Sequence, residues 1–173
     1  MADRFYLPLS YNAATVEIDG TEAHHLTGVM RKKSGDVVEL FDGNGTAVLA
    51  EIIETKKRSA LLRIQKIIVQ ETIEPAPRII LATAVPKGER FRWLVEKATE
   101  IGISKIIPLQ TTRSVVQPSA GKIKKMRATI IAACKQCERN QLMQLAEPVT
   151  WKNLFQNIPQ KNLVAVGHPQ GVS

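Results

Sequence analysis

The stretch IILATAVPKGERFRWLVEKATEIGISKIIPLQ, residues 79–110, decides the fold class of this chain. Its first seven residues form an apolar run, which is typical of a strand buried on both faces. A second apolar run follows at residues 106–109. Between the two runs, apolar residues recur at helical spacing as far as Gly102; they are Phe91, Leu94, Val95, Ala98 and Ile101. Strand, helix and strand form a βαβ unit, so the sequence predicts an open α/β sheet with parallel strands.

The chain downstream continues this alternation. A longer helix is expected from a Ser119 cap, with one apolar and one polar face. The apolar face carries Ile123, Met126, Ile130, Ala133, Cys134 and Cys137, and the polar face carries Lys124, Lys125, Thr129 and Lys135. Residues 163–166 are apolar and predict a third strand of the same sheet.

The chain upstream has the period of strands. β-branched and alternating apolar residues occupy four segments, which are 15–18, 37–41, 46–53 and 59–69. This spacing predicts a small β-barrel or sandwich, interrupted by one short helix that Thr21 can cap. Pro75 and Pro77 stop helices on either side of them, so we expect two domains, residues 1–74 and 75–173.

Net charge divides the chain at nearly the same place. The 173 residues carry 24 Lys and Arg against 16 Asp and Glu, a formal charge of +8. Residues 1–75 hold 9 basic and 11 acidic side chains, whereas residues 76–173 hold 15 and 5. The positive excess therefore belongs to the second domain, and it predicts an anionic partner there, nucleic acid first.

Composition excludes several classes of protein. With 44% hydrophobic residues, 10 Gly and 9 Pro, the chain is neither collagenous nor of low complexity, and it can bury a core. Two Cys cannot form a disulfide framework, which favours a reduced compartment. No apolar stretch approaches the ~20 residues of a membrane span, and no signal peptide is recognisable. We therefore expect a soluble, cytoplasmic protein without a membrane partner.

Few motifs for chemistry are present. The glycine signatures of dinucleotide folds and phosphate loops are absent, and DGNG at residues 42–45 is typical of a hairpin turn. Cys134 and Cys137 could be a redox pair or half of a zinc site, but their mid-helix position favours core packing. His24 and His25 point about 100° apart on a helix, which disfavours a shared metal. A hydrogen bond or an RNA contact is the better role for one of them, and no metal site is expected.

Basic residues at the strand ends are a stronger signal. Lys87 and Arg90 follow the first apolar strand, and Arg113 follows the second. Ligands of open α/β sheets bind outside the carboxyl ends of the strands, where arginine can hold a phosphate through two hydrogen bonds. Structural ion pairs with Glu96 or Glu100 are the alternative for Arg90 and Arg113. The lysines of the long helix could simply form a solvated face.

These residues resemble a known family. Residues 86–90 (PKGER), 95–102 (VEKATEIG) and 108–115 (PLQTTRSV) are similar to the KG-x-R, VEKATELG and PL-x-T-x-RSV segments of the RsmE family, bacterial 16S rRNA methyltransferases. The resemblance extends in order from residue 4 to about residue 151. Its other segments are RFY at 4–6, HHL at 24–26, VMR at 29–31, GD at 35–36, LFDG at 40–43, and an AA-x-x-Q-x-x-R helix with Ala132, Ala133, Gln136 and Arg139.

The resemblance implies a fold, an activity and partners. The fold would be a PUA-like β-barrel that places RNA, followed by a SPOUT α/β methyltransferase domain whose C-terminal chain forms a trefoil knot. The activity would be transfer of a methyl group from S-adenosylmethionine to N3 of a uridine in 16S rRNA of the small ribosomal subunit. Family members of this kind work as homodimers.

The resemblance also implies a cofactor site outside this chain. The IGPEGG and LR-x-ETA segments of the family's cofactor loops are not found before Ser173, and GHPQG at residues 167–171 is expected to be a different loop. We therefore expect a partial form of the enzyme that lacks the knot, with its cofactor contacts beyond Ser173. A non-catalytic RNA-binding fragment is the alternative function, and a small-molecule α/β enzyme is a third.

Roles for single residues follow from the resemblance and from charge. Arg113 and Arg139 are the expected catalytic residues, because a cation beside the uracil oxygens would favour the deprotonated base. Lys87 and Arg90 are expected to hold the RNA backbone. Further RNA contacts are expected from Arg4, His25, Arg31 and Gln136.

Overall fold

The computed structural model describes residues 3–70, 78–112, 120–159 and 161–167. Arg113, the expected Ser119 cap and residues 168–171 of the GHPQG segment lie outside these ranges. The described chain forms a mostly antiparallel sheet followed by a parallel sheet with helices, so the fold class predicted from the sequence is confirmed.

Five strands form the N-terminal sheet: β1 (Arg4–Tyr6), β2 (Thr15–Asp19), β3 (Val37–Phe41), β4 (Thr46–Thr55) and β5 (Ser59–Gln70). Their order is β1-β3-β4-β5-β2, with β1 parallel to β3 and the other pairs antiparallel. The long pair β4–β5 shifts register at three places, which bends and twists the sheet. It curls around buried side chains that include Phe5, Ile18, Leu26, Leu40 and Leu62.

The predicted turn at residues 42–45 joins β3 to β4. One carboxylate oxygen of Asp42 accepts hydrogen bonds from the backbone N–H of Asn44 (2.7 Å) and of Thr46 (3.0 Å). These bonds replace ladder partners that the turning backbone has lost, so the segment is a hairpin turn, as the sequence predicts.

The predicted short helix is present, but its start and its form differ from the prediction. Helix α1 (Gly20–His24) has Asp19 at its N-cap and no side-chain cap, so Thr21 lies inside the helix and the predicted cap is wrong. The chain then continues as a π-helical turn (His25–Val29). Such wide turns are rare and carry no periodicity of their own, which is why the sequence did not indicate one.

The second sheet is parallel throughout its described pairs. It contains β6 (Ile80–Ala84), β7 (Lys105–Gln110), β8 (Gln144–Leu145) and β9 (Val149–Thr150). β6 occupies one side of β7, while β8 pairs with the start of β7 and β9 with its end. The helices are α2 (Arg90–Glu100), α3 (Ala120–Cys137) and α4 (Trp151–Gln156).

Helices α2 and α3 follow the predicted periodicity. Phe91, Val95 and Ala98 of α2 are buried, and Gly102 at a φ of 85° ends the helix. The predicted apolar face of α3 is also buried, except at Cys137, which is exposed. α2 and α3 contact each other and cover one face of the sheet.

Two predicted strand features are wrong. Residues 79–85 are not buried on both faces: Ile79 is 53% exposed and Ile80 is 49% exposed, because the helices cover only one face of β6 in the described chain. Residues 163–166 do not form a strand, and Leu163 is 99% exposed. This apolar segment pairs with no strand of the described chain. Among the described residues, no helix is long and apolar enough to cross a membrane.

Candidate functional site

The predicted cations gather at one edge of the parallel sheet. β6 and β7 pair in register, with Ala84 opposite Leu109, so both strands end at the same place, here called the carboxyl edge. The loop after β6 carries Lys87 and leads into Arg90, the first residue of α2; both side chains are exposed. Residues 111–112 leave β7 at this edge. The chain therefore presents cations where an open α/β sheet binds its ligands.

Neighbouring acids do not neutralise these cations. Glu96 and Glu100, the acids that could pair with Arg90, instead form ion pairs with Lys97. Nζ of Lys97 lies 3.5 Å from Oε1 of Glu96 and 2.8 Å from Oε2 of Glu100. The hydrogen bond to Glu100 is the main reason that the pKa of Lys97 is raised. Within the described part of the chain, neither Lys87 nor Arg90 has an ion pair, so their charge is available to an anion such as a phosphate.

The surface of α3 adds to the positive charge. Lys124, Lys125 and Arg127 are exposed, and the helix contains no Asp or Glu. Lys135 is different: its side chain is only 17% exposed, so the prediction of a solvated position is wrong for this residue. Glu22 and His25 of the N-terminal domain contact Lys135 and shield its ammonium group from water.

Lys135 is the centre of a cluster that joins the two sheets. Its Nζ lies 2.9 Å and 3.2 Å from the two carboxylate oxygens of Glu22, 3.3 Å from Nδ1 of His25, and 5.0 Å from the centre of the Phe5 ring. Glu22 also accepts a hydrogen bond of 3.1 Å from the backbone N–H of Tyr6. Because the ammonium donates to Nδ1, the remaining proton of a neutral His25 ring lies on Nε2. No local sequence pattern indicates this cluster, because its members come from three distant segments.

Arg4 is a structural residue in this fold. Its side chain is 5% exposed, and its Nε lies 2.8 Å from Oε1 of Glu39. The same guanidinium donates to the backbone carbonyl of Cys134 (3.1 Å) and to the side-chain oxygen of Asn140. It also lies 4.8 Å from the centre of the Phe41 ring. These contacts join the N-terminal sheet to α3. They favour a structural role for Arg4 over the RNA contact that the sequence predicts.

Arg139 lies far from the carboxyl edge. Its Nη1 donates to the backbone carbonyls of Thr99 (3.3 Å) and Ile103 (2.8 Å), where α2 ends. A cation at the end of a helix stabilises the free carbonyls there. Arg90 begins the same helix, about 15 Å away at 1.5 Å per residue. The structure thus does not bring Arg139 together with Lys87 and Arg90, and its position favours a structural role over the predicted catalytic one.

Three other residues are predicted RNA contacts: His25, Arg31 and Gln136. Arg31 and Gln136 are exposed, and His25 is half-buried in the cluster around Lys135. Arg31 has a φ of 53°, in the left-handed region that favours glycine. No sequence pattern indicates this strained backbone, and the strain alone assigns no function to Arg31, because Glu138 has a φ of 60° as well.

No buried, unpaired polar side chain marks a site for S-adenosylmethionine among the described residues. Within the described ranges, Nε of Arg4 is the one buried side-chain nitrogen or oxygen without a hydrogen bond, and it is satisfied by its ion pair with Glu39. We therefore derive no catalytic step through a cofactor from these residues. In the same ranges, no three His, Cys, Asp or Glu side chains could hold a metal ion.

Comparison with known families gives two matches. An RNA methyltransferase PUA domain matches residues 18–65, and an RNA methyltransferase domain matches residues 74–173. Ribosomal RNA small subunit methyltransferase E of Bacillus subtilis is 28% identical over 165 residues, which cover 91% of this chain and 63% of the relative. The enzyme of the same name from Synechocystis is 28% identical over 153 residues, 88% of this chain and 50% of the relative. The chain thus spans half to about two thirds of the length of these relatives.

Solved structures show the same fold. Ribosomal RNA small subunit methyltransferase E from Neisseria gonorrhoeae, bound to S-adenosylmethionine, superimposes with a TM-score of 0.83 at 25% identity, covering 92% of this chain and 67% of that one. A protein of Legionella pneumophila described as a methyltransferase, in complex with the same cofactor, gives a TM-score of 0.86 at 30% identity, covering 98% and 72%. Since the RNA methyltransferase domain matches more than half of the chain and this last relative is 30% identical, the chain belongs to the RNA methyltransferase domain family.

Proposed function

We propose that this protein methylates N3 of a uridine in the 16S rRNA of the small ribosomal subunit, with S-adenosylmethionine as the methyl donor. The observation that carries the proposal is a pair of exposed cations at the carboxyl edge, Lys87 and Arg90, which have no ion pair among the described residues, in a chain of the RNA methyltransferase family. The names of the relatives support the rRNA substrate, and the cofactor in two of the solved structures supports the donor. We further propose that the protein works in the cytoplasm as a homodimer.

The two parts of the chain take different tasks in this proposal. Residues 1–74 would form the PUA-like domain that places the RNA, and residues 75–173 would belong to the methyltransferase domain. The charge supports this division, because residues 76–173 hold 15 of the 24 basic side chains and only 5 of the 16 acidic ones. The second part would therefore supply most of the attraction for the phosphate backbone.

Methylation at N3 sets two demands on the protein. N3 of uridine is occupied in a base pair, so the base must be unpaired or turned out of its helix before it can react. N3 must also give up its proton to a base or to water, which leaves negative charge shared by N3 and the two carbonyl oxygens of the uracil. A guanidinium beside those oxygens stabilises that charge and lowers the pKa of the base.

Arg113 is the residue that we propose for this second demand. In sequence it follows Thr111 and Thr112, two exposed residues that leave β7 at the carboxyl edge, where Lys87 and Arg90 also lie. Lys87 and Arg90 would hold phosphates on either side of the target nucleotide, and so fix the base in position. Arg31 and His25 would contact RNA from the N-terminal domain, whereas Arg4 and Arg139 would act through the fold.

A second candidate function is RNA binding without catalysis. Among the described residues, no buried polar side chain is left unpaired for S-adenosylmethionine, and this observation favours RNA binding alone. Calorimetric titration of the protein with S-adenosylmethionine, beside a binding curve for 16S rRNA at several salt concentrations, separates the two functions. Heat of binding together with salt-dependent RNA affinity supports the methyltransferase. No heat with retained RNA affinity means a binding protein, and no RNA affinity at all leaves a small-molecule enzyme.

A further inference from the structure

A groove of about 540 Å³ lies where the two sheets meet, at the amino edge of the parallel sheet, where β7 and β8 begin. One wall is the hairpin turn of residues 42–45, and the other is the segment 141–146. Side chains in the middle of α3 form its floor. We call it the seam groove. Its polar and aromatic lining includes Tyr6, Asn44, Lys105, Arg127, Gln141 and Gln144.

Main-chain bonds fix the two walls of the seam groove to each other. The N–H of Gly45 donates to the carbonyl of Asn140 (3.2 Å), and the N–H of Leu142 donates to the carbonyl of Gly43 (2.9 Å). A Cβ on Gly43 would lie 2.9 Å from Leu142 Cγ and 2.9 Å from Tyr6 Cε2, and its φ is 79°. Only glycine fits there, so the groove is a built feature with a preset width.

The amides of the groove have hydrogen-bonding capacity to spare. The side chains of Asn44, Gln141 and Gln144 make no hydrogen bond to other described residues, although each amide offers donors and an acceptor. Lys105 and Arg127 are likewise without an ion pair in the described part of the chain. Asp42 is the one acid in the lining, and one of its carboxylate oxygens already accepts hydrogen bonds from the backbone of its own turn. The groove thus carries a net positive charge.

The seam groove also continues the positive surface of α3. Lys124 and Arg127 are three residues apart on this helix and therefore lie side by side. α3 begins after β7, near the carboxyl edge, and its middle reaches the groove. An RNA strand held at the carboxyl edge would find cations along the helix as far as the groove.

We propose that the seam groove is a second RNA subsite, which takes one or two unpaired nucleotides of the substrate strand outside the target uridine. Lys105 and Arg127 bind phosphates, the ring of Tyr6 offers a face for a base, and the free amides contact base edges. A cationic groove with an aromatic face is the combination that holds single-stranded RNA. This inference rests on the proposed rRNA substrate, since it names a further part of the same RNA.

Fluorescence anisotropy with labelled single-stranded RNA dodecamers of each of the four bases tests the subsite. We expect the double variant Lys105→Gln/Arg127→Gln to bind about 10-fold more weakly, and to lower the slope of log affinity against log salt by about 1.4, at roughly 0.7 per phosphate contact. We expect Asn44→Ala/Gln144→Ala to weaken at least one dodecamer about 5-fold with an unchanged salt slope. The matched control is Lys152→Gln/Lys161→Gln, two exposed cations outside the groove lining.

The inference is overturned if both groove variants bind like the control variant while the unaltered protein binds RNA; the proposed function then stands. If the unaltered protein binds none of the dodecamers and no 16S rRNA, the proposed function fails, and the subsite with it. Thermal melts of each variant verify that the fold is kept, which we expect because Asn44, Gln144 and Arg127 are exposed.

Discussion

Among the described residues, two that are not glycine adopt left-handed backbone. Arg31 has a φ of 53° and follows the π-helical turn, and Glu138 has a φ of 60° and follows α3. Both occupy positions after a helix where glycine is usual, because a Cβ there meets the neighbouring carbonyl. They differ in charge and in what we propose for them: Arg31 is a proposed RNA contact, and Glu138 is not.

Glycine at either position should therefore separate stability from function. We expect Arg31→Gly and Glu138→Gly each to raise the free energy of unfolding by about 0.5 to 1 kcal/mol, since the strain is removed. Urea denaturation measures this. RNA affinity should fall for Arg31→Gly and should hold or rise for Glu138→Gly, because only the first loses a cation. Equal RNA affinity for the two variants would remove Arg31 from the RNA-binding surface.

The two cysteines have opposite environments. Cys134 is buried, and burial is the main reason that the pKa of its thiol is raised from 9.0 to about 11, while Cys137 is exposed. We expect iodoacetamide at pH 8 to alkylate Cys137 alone in the folded protein and both residues in urea, as counted by mass spectrometry. Two adducts on the folded protein would show that Cys134 is accessible.

The raised pKa of Cys134 has a consequence for stability. Between pH 9 and 11 the unfolded chain loses this thiol proton while the folded protein keeps it, so unfolding is favoured as the pH rises. The free energy of unfolding should fall through this range by a larger amount in the unaltered protein than in Cys134→Ala. Parallel pH profiles for the two proteins would contradict the assignment.

At the scale of the elements, local pattern predicted those segments that owe their form to local physics. α2, α3, β7 and the hairpin turn at 42–45 were all indicated by periodicity or turn residues. β8 and β9 were missed, because two-residue strands exist only through their bonds to β7. Residues 163–166 show the reverse case, since an apolar run without a partner did not become a strand.

Some residues of the candidate site could be predicted from local sequence, and others could not. Lys87 and Arg90 could be placed from the sequence, because loops after parallel strands meet at one edge. The environments of Arg4, Lys135 and Arg139 could not be predicted from the sequence. Each depends on contacts between residues about 40 to 130 positions apart. Helical periodicity put Lys135 on a polar face, but it carries no information about another domain that covers that face.

The ion pair between Lys135 and Glu22 connects α3 to α1, and its contribution to stability can be measured. We expect Lys135→Ala to lower the free energy of unfolding by roughly 1 kcal/mol, and to speed hydrogen exchange at residues 20–29, because the pair is mostly shielded from water. Lys125→Ala, an exposed lysine on the same helix, is the matched control and should change neither quantity. Unchanged exchange at 20–29 in Lys135→Ala would mean that the pair does not hold α1 in place.

In the whole molecule, the N-terminal sheet and the α/β part share an apolar cluster that includes Phe41 and Ala47, and polar contacts join them as well. Arg4 is central to these polar contacts, since one guanidinium reaches Glu39 in β3 and the backbone of Cys134 in α3. We expect Arg4→Ala to lower the free energy of unfolding by about 3 kcal/mol, because Glu39 is left with a nearly buried, unpaired charge. Urea denaturation measures the loss.

Arg63→Ala is the control for Arg4→Ala, and the salt dependence of RNA affinity tests whether Arg4 contacts RNA. Arg63→Ala removes an exposed partner of Glu51 at 4.0 Å and should cost under about 0.5 kcal/mol. The slope of RNA affinity against salt should be the same for Arg4→Ala as for the unaltered protein, measured where both are folded. A stable Arg4→Ala protein with a lower salt slope would restore Arg4 to the RNA-binding residues.

We propose that this protein transfers a methyl group to N3 of a uridine in 16S rRNA. Incubation with S-adenosylmethionine labelled in its methyl group, and with either small ribosomal subunits or free 16S rRNA, tests it most directly once the RNA is digested to nucleosides. We predict label in N3-methyluridine at about one site per rRNA, and a loss of roughly 100-fold or more in rate for Arg113→Ala but not for Arg92→Ala. RNA that is bound by the protein yet carries no label, or label in any other nucleoside, would contradict the claim.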